Sequence, residues 1–168
     1  MSEILVRRAT VADAEAAAHC HASCWQEAYD GLVDPAKLAE ATRDVARRTE
    51  RWQADLEDGA ERWVALHPDG DTAPVTDRVV GFSAPGISRD PDAPYPLELY
   101  AIYVRKAWWG HGLGTRLLEV AIGNQPASVW LFESNVRARD FYTRHGFRPD
   151  GARKDEPRFG ETEIRMVR

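Results

Sequence analysis

A single mixed α/β domain is what this sequence predicts, and three observations predict it. The chain has 168 residues, a length that suits one hydrophobic core and is short for two. Short apolar runs alternate with runs of helical period along its length. Residues 97–134 read strand, glycine loop, helix, strand, which implies a parallel pair joined by a right-handed crossover. No repeat, linker or low-complexity segment interrupts the chain, so residues 1–168 are read as one domain.

The elements follow in order. ILVRRA (4–9) alternates weakly and reads as a first strand. Thr10 and Asp13 are helix-start residues, and from Val11 to about Tyr29 one side carries Ala14, Ala17, His21, Trp25 and Ala28. Asp34 caps and Pro35 opens a second helix that runs to about Leu56. RWVALHP (62–68) is a strand, DGDTAPVTDR (69–78) a polar, mobile loop, and RVVGFSAPGIS (78–88) a strand with a bulge expected near Gly81 or Gly86. A proline-rich turn leads to LELYAIYV (97–104), a mostly apolar and therefore central strand. A helix over 113–123, a buried strand over 127–134 and a helix over 136–145, stopped by Gly146, come next. FRPDG and ETEIRMVR supply the final strands.

Composition narrows the function classes. Hydrophobic residues make up 43% and charged residues 29% of the chain, ordinary for a soluble protein. MSEILVRRAT lacks the apolar stretch of a signal peptide, and no run approaches a membrane span. With only Cys20 and Cys24, no disulfide framework forms, and a cytoplasmic location without a membrane partner is expected. His21 and Cys24 have helical spacing, but a zinc site needs four ligands and no further cysteine exists, so no metal is expected. Residues 1–98 carry 10 Lys/Arg against 19 Asp/Glu, and residues 99–168 carry 12 against 8. An anionic ligand on the second part and a cationic one on the first would fit this asymmetry. No basic stripe suits nucleic acid.

The stretch AWWGHGLGTR (107–116) places three glycines at the mouth of a helix, where each costs about 0.5–1 kcal/mol relative to alanine. A helix start attracts phosphate, and glycines let the backbone approach it. A P-loop would need Gly-Lys-Ser/Thr, and no lysine is present. In a dinucleotide fingerprint Gly110 and Gly112 would match, with Glu133 as the ribose acid, but Thr115 takes the third glycine's place. Only 35 residues follow Glu133, too few for that fold's repeated units. A third reading, the pyrophosphate loop of a coenzyme A-dependent acyltransferase, comes with a family resemblance.

VRKAWWGHGLGTRLL followed by SNVRARDFYTRHGF resembles the GNAT superfamily of N-acetyltransferases, in detail over about 97–148. The family pattern is Gln/Arg-x-x-Gly-x-Gly/Ala opening a helix, then a strand ending near Asn, then a helix carrying Phe-Tyr and closing on Gly-Phe. Here Gly112-Leu113-Gly114, Asn135, Ala138, Phe141-Tyr142 and Gly146-Phe147 supply it. Trp109 stands where the family has Gln or Arg. The resemblance implies a central mixed sheet of about seven strands flanked by about four helices, with two central parallel strands splayed for acetyl-CoA.

It also implies roles. Backbone from Trp109 and Gly110 through His111, Gly112, Leu113 and Gly114 to Thr115 would wrap the pyrophosphate, with His111 and Arg116 offsetting its charge. Ile102, Tyr103 and Val104 would hold the pantetheine arm through backbone, joined by Asn135, Ala138 and Phe141; Asn135 also suits a helix N-cap. Tyr142 fits the general acid, and Glu98, a lone carboxylate in an apolar strand, fits the base that deprotonates a small-molecule or peptide amine. Trp25, Glu27, Tyr29 and Asp30 offer an acidic, aromatic rim for a cationic acceptor, with Asp155 and Glu156 as further candidates. Alternatives stand beside this one: a GNAT-fold sensor that binds acyl-CoA without turnover, transfer of a longer acyl group, and, for Glu98, an exposed strand residue or an ion-pair partner. Many members of the family are homodimers, and the last strand is read as an edge available for pairing.

Overall fold

Residues 4–168 are described by the computed structural model of the chain. The order is β1 (Leu5–Arg8), α1 (Ala14–Tyr29), α2 (Pro35–Thr42), α3 (Val45–Glu57), β2 (Trp63–Leu66), α4 (Val75–Arg78), β3 (Val79–Ile87), β4 (Leu97–Val104), α5 (Leu113–Ile122), β5 (Ser128–Phe132), α6 (Val136–Arg144), β6 (Arg148–Glu156) and β7 (Glu161–Val167). The strands form one sheet in the order β1-β2-β3-β4-β5-β7-β6. Every neighbouring pair is antiparallel except β4 and β5, which run parallel across the α5 crossover.

Three layers follow from the pleat, because alternate residues point to opposite faces. Val64 of β2 and Phe82 of β3 pack with Ala17, Cys20 and Trp52 of α1 and α3 on one face. Ala65, and Val80, which a bulge in β3 between Val79 and Gly81 turns over, meet Leu113 and Leu117 of α5 on the other, with Ile102 and Val104 against them. The α5 stripe of Leu113, Leu117, Leu118 and Ile122 is fully buried. Each such side chain contributes about 1.5–3 kcal/mol. Tyr29, Phe132 and Phe159 form a further cluster, flanked by Tyr103, on the α1 side. No helix among the described residues is long and apolar enough to cross a membrane.

The structure corrects four sequence expectations. The helix expected over 35–56 is two, because the Asp44 carboxylate accepts from Arg47 N at 2.9 Å and starts α3 anew. The polar loop 69–78 holds a 3-10 turn at Gly70–Thr72 and the one-turn α4. The described residues accordingly form six helices rather than about four. The last strand, β7, is not an edge: it sits between β5 and β6, so the sheet ends at β1 and β6.

The bulge that matters lies in β4. Ala84 pairs with Ala101 and Pro85 with Leu99, so Tyr100 is the extra residue. A bulge bends its strand and increases its twist. Before it, Glu98 pairs with Ser128 of β5; after it, no β4–β5 pair is formed among the described residues. The parallel strands therefore part, and the β4 edge from Ala101 to Val104 faces a gap.

Candidate active site

The gap opens into a cavity of about 540 Å³. One end is the start of α5. Gly110 and Gly112 have φ of +79° and +76°, the left-handed region where glycine is favoured, so the turn needs them. The first N–H groups of α5, from Leu113 to Thr115, lack helical partners and form the positive end of its dipole. A Cβ on Gly114 would lie 3.1 Å from the Phe141 ring, so glycine there lets α5 close onto α6. Thr115 is tied to α6 as well. His145 Nδ1 lies 2.8 Å from the Phe141 carbonyl and donates to it, and Nε2 hydrogen-bonds with the Thr115 hydroxyl at 3.1 Å.

The middle of the cavity is the unpaired edge of β4, with Ile102, Tyr103 and Val104 on one side and Val129 and Leu131 of β5 on the other. Asn135 is buried and caps α6: its Oδ1 accepts from Ala138 N at 3.1 Å. The cap uses only the oxygen, and the Asn135 amide N–H groups have no protein partner among the described residues. Tyr142 is buried and lines the cavity, and burial raises its phenol above the ordinary range, so it stays protonated. Its hydroxyl makes no hydrogen bond to the described residues and is free to donate.

The far end is aromatic and charged. Trp25, Tyr29, Trp130 and Phe159 line it, with Arg89, Glu156 and Glu163. The Tyr29 and Tyr103 hydroxyls are 2.6 Å apart. Burial, with the nearby Glu163, lifts Tyr29 to about 12. The 88–96 segment closes this end because Arg165 donates to Asp150 at 2.7 Å, to Asp92 at 3.1 Å and to Asp90 at 3.4 Å.

Most residues singled out in the sequence line this one cavity: Trp25 and Tyr29, the β4 edge, Trp109 through Thr115 except His111, and Asn135, Ala138, Phe141 and Tyr142. Four lie elsewhere. His111 points to solvent, and Arg116 donates to the Ile4 carbonyl at 2.9 Å. Glu27 accepts from Arg105 Nε at 3.0 Å and Lys106 N at 2.6 Å, outside the cavity wall, and Asp30 is exposed beyond it. Glu98 has a side chain only 1% exposed, and Arg89 holds both its oxygens: Arg89 N donates to Oε2 at 2.9 Å, and the guanidinium pairs with Oε1. The carboxylate expected as a base thus holds Arg89 in the cavity wall, and it does not line the cavity itself. Glu133, the acid of the dinucleotide reading, forms a two-pronged exposed pair with Arg153 at 2.7 Å. Sequence reasoning missed Arg89, Trp130, Phe159 and Glu163, which come from a turn, a strand and the final hairpin and share no local spacing. It missed Arg137 too, although Arg137 lies two residues past Asn135.

An unpaired strand edge, a helix start bared by glycines and a protonated phenol with no protein partner suit a long ligand with phosphates at one end and a reacting group at the other. Coenzyme A has that shape and chemistry, and the residues present fit it.

The comparisons agree with this geometry. Residues 58–149 match the acetyltransferase (GNAT) domain family. A probable N-acetyltransferase of Mycobacterium tuberculosis is 28% identical over 156 residues, covering 89% of this chain and 83% of that protein. The PaiA N-acetyltransferase of Thermoplasma acidophilum, solved with coenzyme A, superposes with a TM-score of 0.68 at 14% identity over 97% of this chain and 98% of that one. A Salmonella typhimurium protein solved with its cofactor acetyl-CoA gives 0.67 at 19% identity over 99% and 94%. With a family match spanning more than half of its residues, this chain belongs to the GNAT family of acetyltransferases.

Proposed function

We propose that the protein is an N-acetyltransferase that moves the acetyl group of acetyl-CoA to a primary amine by direct attack. The observation that carries this is the continuous cavity from the α5 start, through the β4–β5 gap, to the free hydroxyl of Tyr142. Acetyl-CoA supplies an activated thioester and a thiolate leaving group. The glycine loop and the α5 start bind phosphate through backbone N–H groups. The β4 edge and the Asn135 amide align the arm of the cofactor. The acceptor's ammonium first gives its extra proton to solvent; Tyr142 holds a proton at Oη and donates it to the departing sulfur, and the proton the nitrogen loses on forming the amide restores the phenol. At the far end Trp25, Tyr29 and Phe159 flank the acceptor, and Glu156 and Glu163 favour a cationic amine over a neutral one. Glu98 serves by fixing Arg89 rather than by taking the proton.

A thiol-release assay over a panel of amines tests this. Wild-type protein should release coenzyme A with at least one cationic amine. Tyr142→Phe should lower kcat by about 100-fold with little change in acetyl-CoA affinity. Glu98→Gln should weaken acceptor binding and leave the shape of the pH profile intact. If Glu98→Gln instead removes the acidic limb of kcat/KM, Glu98 is the base.

A further inference from the structure

Trp109 occupies the position where the family pattern carries Gln or Arg, so this chain lacks that polar side chain beside its phosphate loop. What stands there instead is a built pair. The Trp109 indole is fixed by its Nε1–H, which donates to the Val104 carbonyl at 2.7 Å. The Arg137 guanidinium carbon lies 3.5 Å from the Trp109 ring centre, a stacked cation–π contact. Both residues line the cavity. The stack links the loop before α5 to the start of α6, the two walls between which the phosphates would enter.

Arg137 also differs from the arginines that are paired off around the sheet. Arg89, Arg105, Arg153 and Arg165 each hold a carboxylate. Among the described residues Arg137 has neither an ion pair nor a hydrogen bond. Solvent reaches it, yet the protein crowded around it disfavours its charge by desolvation. A positioned guanidinium without a counter-ion, lining the same cavity as a helix start whose N–H groups lack acceptors, is half of an anion site. Lysine could not stack in the same way, because its ammonium is compact and lacks a planar face.

We propose that Arg137, held on the Trp109 face, binds the pyrophosphate of the cofactor and replaces the Gln/Arg side chain of the family pattern. The inference rests on the acetyl-CoA reading above. The charge comes from α6 instead of the loop, and Trp109 is its platform.

Calorimetric titration with coenzyme A and with dephospho-coenzyme A tests it, since the second probe keeps the pyrophosphate and lacks the 3′-phosphate. Arg137→Ala should weaken both ligands equally, by about ten- to a hundredfold, the loss expected for a charge-assisted hydrogen bond. The salt dependence of binding should become shallower. Arg137→Lys should recover only part of the affinity. Trp109→Arg placed in the Arg137→Ala background should recover most of it, because it returns a guanidinium to the loop. Unchanged affinity in Arg137→Ala, a loss confined to coenzyme A, or a double variant no tighter than Arg137→Ala would each overturn the assignment. Wild-type protein that binds neither ligand would overturn both the assignment and the acetyl-CoA reading beneath it.

Discussion

His21 shows how one side chain couples stability to the cavity wall. Its ring packs on Phe82 at 4.9 Å and on Tyr103 at 5.7 Å, and its Nδ1 is buried with no hydrogen-bond partner. Burial, with Arg48 and Arg51 nearby, pushes its pKa down to about 3. The unfolded chain takes up a proton near the ordinary histidine value of about 6.5, whereas the folded one resists it. Unfolded molecules therefore bind more protons between these values, and stability rises with pH across that window. Chemical denaturation should show stability falling as pH drops from about 6.5 toward about 3, by up to about 1.4 kcal/mol per unit. His21→Phe should flatten that slope while keeping the aromatic packing. The periodicity of α1 puts His21 on the inner side, and that much was legible in the sequence. That its neighbours are Phe82 and Tyr103, on distant strands, was not.

Among the elements, β4 governs the site, and its bulge depends on Gly86. A Cβ on Gly86 would sit 2.4 Å from the Tyr100 ring, which lies across it while its hydroxyl donates to the Ile87 carbonyl. The Arg89 guanidinium carbon packs on the same ring, 4.4 Å from the Tyr100 ring centre. Gly86→Ala should therefore force Tyr100 away and cost about 1–3 kcal/mol, read from the denaturation midpoint. It should also raise KM for the acceptor more than for acetyl-CoA, since Arg89 loses its aromatic support. A bulge near Gly86 was foreseeable from a glycine inside a strand pattern. The extra residue lies on the partner strand, however, and pairing register is a long-range property that local pattern does not carry. The same holds for β7: its apolar alternation marks a strand, but nothing in that run says that the chain returns to insert it between β5 and β6. The α2–α3 break was present as Thr42-Arg43-Asp44, where Asp44 had to be read as a cap inside an apparently continuous helix.

In the molecule as a whole, the two ends of the cavity differ in how much of them could be read from sequence. The phosphate end comes from one stretch, residues 97–142, where spacing and geometry coincide, so the loop, Asn135 and Tyr142 could be named together. The acceptor end gathers α1, the 88–96 segment and the β6–β7 hairpin, which are far apart in the chain. Glu27 illustrates the consequence. It sits on the same helix as Trp25 and Tyr29, but Arg105 takes it up outside the cavity, while Glu163, unmarked by any motif, faces in. The charge asymmetry along the chain does not follow that division: Arg137 and Arg144 of the basic part line the cavity, but so do its Glu156 and Glu163, and the acidic part contributes only Arg89 as a charged lining residue.

The central claim is that this cavity holds acetyl-CoA with its phosphates on the glycine loop. Calorimetric titration of wild-type protein with acetyl-CoA, with NAD as control, tests it most directly. The account predicts one site per chain with micromolar affinity for acetyl-CoA and no measurable heat with NAD. No binding of acetyl-CoA, or equal binding of NAD, would contradict it.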